Sequence, residues 1–90
     1  MWKIFEHRTL DKAWHRLPQH ILKKYELWKA VVRYDGPRKL REFTGFRDES
    51  LKGVWKGCRS SRLSSKYRVL YQIDGESNQV FVMDINAHEY

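Results

Sequence analysis

Tyr67-Arg68-Val69-Leu70-Tyr71-Gln72-Ile73, then Asp74-Gly75 and Asn78, then Val80-Phe81-Val82-Met83-Asp84-Ile85, is the stretch on which the fold turns. Both apolar runs are rich in β-branched and aromatic residues, which suit a pleated surface. Asp74-Gly75 opens a turn between them and Asn78 closes it. The second run is apolar enough to be a central strand. Upstream, Arg59 to Leu63 reads as a further strand. The last forty residues therefore read as a three-stranded meander.

Moving toward the N-terminus, Arg38 to Ser50 is charged, with turn signals around Gly45 and Asp48, and reads as a loop with a helical turn at most. Before it, Ile21, Tyr25, Trp28 and Val32 recur at helical spacing, predicting a helix from about Pro18 to Tyr34. Pro18 suits its first turn, and Asp35-Gly36-Pro37 ends it. Leu10, Trp14 and Leu17 form a second apolar stripe, and Thr9 is a plausible N-cap for a short first helix. Trp2 to His7 reads as a strand. The expected order is β-α-α-β-β-β, an α+β fold with two N-terminal helices packed on a four-stranded, mainly antiparallel sheet. Residues 1–90 are expected to form a single domain.

The chain carries 18 Lys plus Arg against 11 Asp plus Glu, a net charge of +7, so an acidic partner is expected. The charge is patterned. Six basic residues and no acidic one lie between Leu51 and Arg68, while four acidic residues and no Lys or Arg follow. Solvated faces normally mix signs, so the unrelieved run favours phosphate binding. Arginine suits that task because its planar fork can pair with two oxygens. No apolar run reaches the roughly 20 residues of a membrane span, so no membrane partner is expected. The single cysteine, Cys58, suits a reducing cytoplasm. His7, His15 and His20 show no metal-ligand spacing, and no metal or cofactor is expected. Trp14 and Trp28 read as core; Trp55, in a Gly-flanked loop between Lys52 and Lys56, suits packing or base stacking.

His88-Glu89-Tyr90 adds a group able to transfer protons near neutral pH and a ring able to stack on a base. Taken with Leu51-Lys52-Gly53, Arg59-Ser60-Ser61-Arg62-Leu63 and Tyr67-Arg68-Val69-Leu70-Tyr71, this pattern resembles the RelE/ParE superfamily of toxins from type II toxin–antitoxin pairs. It is most similar to the RelE-type messenger-RNA interferases. The resemblance covers the last forty residues closely, and the N-terminal part only in size and element order.

The resemblance implies a metal-independent endoribonuclease that blocks translation. Arg68 would clamp the phosphate with help from Arg62, His88 would transfer a proton, and Tyr90 would close the site. Lys52, Lys56, Arg59 and Lys66 fall where such toxins meet ribosomal RNA. Some relatives carry a His or Glu in the loop before Leu-Lys-Gly, where this chain offers Asp48 and Glu49. Messenger RNA and ribosomal RNA in the ribosomal A site, and a cognate antitoxin, are the implied partners. Two alternatives stand beside this reading: a ParE-type toxin that binds DNA gyrase without cutting RNA, and a plain nucleic-acid-binding domain with a basic sheet.

Overall fold

The stripe Ile21, Tyr25, Trp28 and Val32 is buried along one side of a helix, α1 (Gln19–Asp35), in the computed structural model, which describes residues 1–87. Pro18, at φ −58°, is its N-cap and has the ring geometry that a helix start accepts. Gly36 stops the helix at φ 86°, a backbone region that side chains avoid. The close approach there also demands glycine, because a Cβ on Gly36 would lie 2.8 Å from Nε1 of Trp2. The Trp2 amide donates to the Arg33 carbonyl at 3.0 Å, tying the N-terminal segment to the helix end.

Five strands follow the chain as β1 (Lys3–Glu6), β2 (Glu49–Ser50), β3 (Arg59–Arg62), β4 (Arg68–Asp74) and β5 (Gln79–Asn86). Their order across the sheet is β1-β5-β4-β3-β2. β2, β3, β4 and β5 pair antiparallel, whereas β1 lies parallel to β5 with Ile4 opposite Val80. A parallel pair needs a long crossover, which the chain from α1 to β4 provides.

The expected two helices on a four-stranded sheet are corrected on both counts. The first expected helix is a short 3-10 segment, Arg8–Lys12, followed by turns. His7 caps it, not Thr9: His7 Nδ1 accepts from the Thr9 amide at 3.2 Å. A proline disfavours helical geometry at the residue before it, here Leu17, and the stretch left before it is too short to propagate a helix well. The apolar stripe is still used, since Leu10 and Ala13 are buried and Trp14 and Leu17 pack against the core. The extra strand, β2, is two residues long and sits in the stretch that reads as a loop. The remainder of that stretch forms 3-10 turns at Pro37–Glu42 and Thr44–Phe46.

Val69, Tyr71, Val80, Val82 and Ile85 face α1 in the main core. Val82 and Ile85 are an odd number of residues apart and would fall on opposite faces of a regular strand. A register shift resolves this, because Leu70 pairs with Asp84 and Tyr71 with Val82, leaving Met83 as the extra residue of a bulge. On the other face Leu51, Cys58 and Leu70 form a small second cluster with Met83 packed against it. The sheet therefore has a helix-covered face and an opposite face that the second cluster covers only in part.

Candidate nucleic-acid interface

Alternation along β3 and β4 sets the site. Ser61 and Val69 are Cα partners, both buried, with Val69 in the α1 core. The next pair, Arg62 and Arg68, must then leave the opposite face. On the far side of Arg68 lies Asn86 of β5. Two guanidinium groups thus sit beside each other on the helix-free face. Like charges directly opposite in a sheet destabilise it, unless an anion relieves them. Arg62 Nε is buried and has no hydrogen-bond partner among the described residues. Arg68 Nη1 has one loose counter-ion, Glu49 Oε1, at 3.9 Å.

The two acids of the preceding loop have separate positions. The side chain of Asp48 is fully buried. Its Oδ1 accepts from Arg59 Nε at 2.8 Å and lies 2.7 Å from Arg59 Nη2. Its Oδ2 accepts from Ser61 Oγ at 2.6 Å and from the Tyr71 hydroxyl. Ser61 Oγ in turn accepts from Trp28 Nε1 at 2.9 Å. This chain of contacts joins α1, β3, β4 and the loop through one carboxylate. Burial works against the Arg59 charge, but the hydrogen bond and charge of Asp48 outweigh it and raise the Arg59 pKa. Burial raises the Tyr71 pKa further, followed by the charge of Asp48 and the hydrogen bond to it. Glu49, the next residue, pairs with Ser60 on the helix-free side and is 60% exposed.

The cationic residues expected from the sequence therefore divide. Arg62 and Arg68 come together on one face, and Arg59 is engaged by Asp48 within the fold. Lys52 and Lys56 are exposed on either side of a 3-10 turn, Gly53–Trp55. Lys66 is exposed in the β3–β4 connection, where Ser64 Oγ accepts from the amides of Lys66 and Tyr67, both at 3.1 Å. Trp55 is 40% exposed beside the lysines. His88 and Tyr90 lie outside the described residues. β5 does bring the described chain to Asn86 and Ala87 next to Arg68.

Asp84 and Asn86 are site neighbours that the sequence reading missed. Both leave the helix-free face, and Asn86 Nδ2 donates to Asp84 Oδ2 at 2.6 Å. The signal was available: two polar residues spaced by two after the apolar run 80–83 mark a face outside the core. Among the described residues no three His, Cys, Asp or Glu side chains converge as metal ligands would. No helix among them is long and apolar enough to cross a membrane. The arrangement offers two forked cations, a nearby exposed carboxylate and hydrogen-bonding side chains, a set suited to holding a phosphodiester and stabilising charge that develops on it.

No protein-family model matches the chain, and no curated protein matches it in sequence. Solved structures do match. The RelE–RelB complex from Pyrococcus horikoshii superposes with a TM-score of 0.74 at 20% identity, covering 96% of this chain and 93% of that one. The YoeB–YefM complex from Staphylococcus aureus gives 0.73 at 17% identity, covering 99% of both chains. The toxin–antitoxin complex RelBE2 from Mycobacterium tuberculosis gives 0.61 at 26% identity, covering 97% of this chain and 98% of that one.

Proposed function

We propose that this chain, which has the fold of the RelE/ParE toxins, is the toxin of a toxin–antitoxin pair and cuts messenger RNA at its Arg62–Arg68 face. The observation that carries the reading is the pairing of two arginines on the helix-free face, where Glu49 is a loose counter-ion 3.9 Å from Arg68. Such a pair is costly to leave unliganded and fits a phosphodiester.

The 2′-hydroxyl of one nucleotide attacks its own 3′-phosphate. An O2′–P bond forms and the P–O5′ bond breaks, leaving a 2′,3′-cyclic phosphate and a 5′-hydroxyl. Arg68, assisted by Arg62, holds the phosphate and the extra negative charge of the phosphorane. Two proton transfers accompany the exchange: one from the attacking hydroxyl, one to the leaving oxygen. Asp48 is occupied by three donor residues inside the fold, so Glu49 and His88 are the pair for these roles. Tyr90 stacks on a base and closes the site. Lys52, Lys56 and Lys66 meet ribosomal RNA, with Arg59 shaping the same strand from behind. A large RNA scaffold supplies orientation that a ninety-residue protein lacks. The cognate antitoxin is an acidic or amphipathic protein that covers the basic face.

The test is expression in cells with translation and DNA supercoiling followed together. Wild type should arrest translation and leave supercoiling unchanged, and Arg68→Ala and His88→Ala should abolish or greatly weaken the arrest at equal soluble expression. Altered supercoiling with intact messenger RNA would favour gyrase poisoning instead. Full arrest by both variants would remove the proposed site.

A further inference from the structure

The helix-free face does not end at the arginines. Ile4 and Val80 are Cα partners packed with the α1 core, so the next pair, Phe5 and Phe81, leaves the opposite face. Their rings are stacked, with centroids 5.5 Å apart and planes 19° from parallel, and Phe5 is 45% exposed. They line a small depression of about 140 Å³ with Glu6, His7, Val82 and Met83. Gln72 of β4 stands opposite Phe81. Lys3, two residues before Phe5, leaves the same side and is exposed. An aromatic patch with a cation beside it thus shares one sheet face with Arg62 and Arg68.

We propose that Phe5 and Phe81 form a stacking subsite for a base of single-stranded RNA, flanking the nucleotide that is cut. This rests on the reading of the Arg62–Arg68 face as the cleavage site. Gln72 lies four residues along β4 from Arg68, about 13 Å at the usual rise, so the base that stacks is not the one at the scissile bond. The partner of this surface must offer planar apolar groups and anions along one strand, and single-stranded nucleic acid does so at every nucleotide. Lys3 stands at one end of the track for a phosphate and the arginines at the other. Between them Asp84 faces the same side, with oxygens accepting from Asn86 Nδ2 and the Ile85 amide. A phosphate is repelled there, whereas the amino edge of a base is welcome. The strand therefore lies with its bases toward the sheet between the two cationic ends.

The experiment measures binding of the full chain to a short single-stranded RNA with 2′-O-methyl groups, which cannot be cut. It compares wild type with Phe5→Leu, Phe5→Trp and Arg68→Ala. Phe5→Leu keeps an apolar side chain at a half-exposed position but loses the ring; it should weaken binding about tenfold, whereas Phe5→Trp should preserve or tighten it. A series of oligonucleotides with one abasic position each supplies the second arm. One abasic site should cost wild type about tenfold and cost Phe5→Leu nothing further. If Arg68→Ala weakens binding while Phe5→Leu does not, the stacking subsite is wrong and the arginine site stands. If neither variant changes RNA affinity, the cleavage-site reading itself fails. If Phe5→Leu, with unchanged melting temperature, loses affinity only for the co-encoded antitoxin, the patch is a protein-docking face and the proposal is overturned.

Discussion

Arg62 and Arg68 are Cα partners across β3 and β4, so two guanidinium groups leave one face of the sheet side by side. The fold gains nothing from their proximity, since opposed like charges cost it stability. Removing either charge should therefore leave the melting temperature unchanged or slightly raised. Activity should move the other way. Arg68→Ala should lower single-turnover cleavage on ribosomes about 10² to 10³-fold, the scale of losing one oriented charge stabiliser. Arg62→Ala should cost less, and Arg68→Lys should stay well below wild type because an ammonium lacks the fork. A variant that loses activity together with stability would show that these arginines are structural.

Asp48 and Glu49 are neighbours with opposite roles. Asp48→Ala leaves Arg59 partly buried without its partner and frees the Ser61 and Tyr71 hydroxyls. It should cost about 3 kcal/mol in urea unfolding, the usual scale for removing one side of a buried ion pair. Glu49→Gln should leave unfolding unchanged and reduce cleavage about 10²-fold. Equal effects of the two substitutions on stability would contradict this division.

The buried tyrosines set an alkaline limit. Burial first raises the Tyr71 pKa, with Asp48 adding to it, and burial and Glu6 do the same for Tyr25, whose hydroxyl donates to Glu6 at 2.5 Å. A group whose folded pKa lies above its unfolded value stabilises the fold fully below the unfolded pKa. That stability is lost as pH climbs above about 10, the ordinary tyrosine value. Spectrophotometric titration should show these two tyrosinates appearing only together with loss of near-ultraviolet circular dichroism. Their ionisation near pH 10 in a still-folded protein would contradict the packing.

Gly36 is constrained twice, by a φ of 86° and by Trp2 against its α-carbon. Gly36→Ala should destabilise the fold by about 1–3 kcal/mol through backbone strain alone. Trp2→Ala should make the alanine less harmful, because the ring no longer blocks a Cβ. A double-mutant cycle by thermal unfolding checks this, and purely additive effects would show that the contact plays no part.

Much of the architecture was legible because periodic burial writes itself into the chain. The stripe from Ile21 to Val32 marks α1 to within a residue at each end, and the runs around Val69 and Val80 mark β4 and β5. Three features were not legible. Leu10, Trp14 and Leu17 have helical spacing and are packed inward, but the segment before Pro18 is too short to turn as an α-helix. β2 is two residues long and gains its pairing only from β3. That β1 runs parallel to β5 depends on the path of the whole chain between them. At the candidate site, the sequence marks Arg62 and Arg68 by type. That they are neighbours follows only from register, as does the separation of Asp48 from Glu49.

The central claim is that this sheet face cleaves RNA by attack of the neighbouring 2′-hydroxyl, and the ends of the products test it most directly. Messenger RNA on ribosomes should be incubated with the purified chain and the fragment ends determined chemically. The account predicts upstream fragments ending in a 2′,3′-cyclic phosphate or 3′-phosphate, downstream fragments beginning with a 5′-hydroxyl, and no cutting where the nucleotide before the break is 2′-deoxy. Fragments beginning with a 5′-phosphate, or undiminished cutting at a 2′-deoxy position, would contradict it.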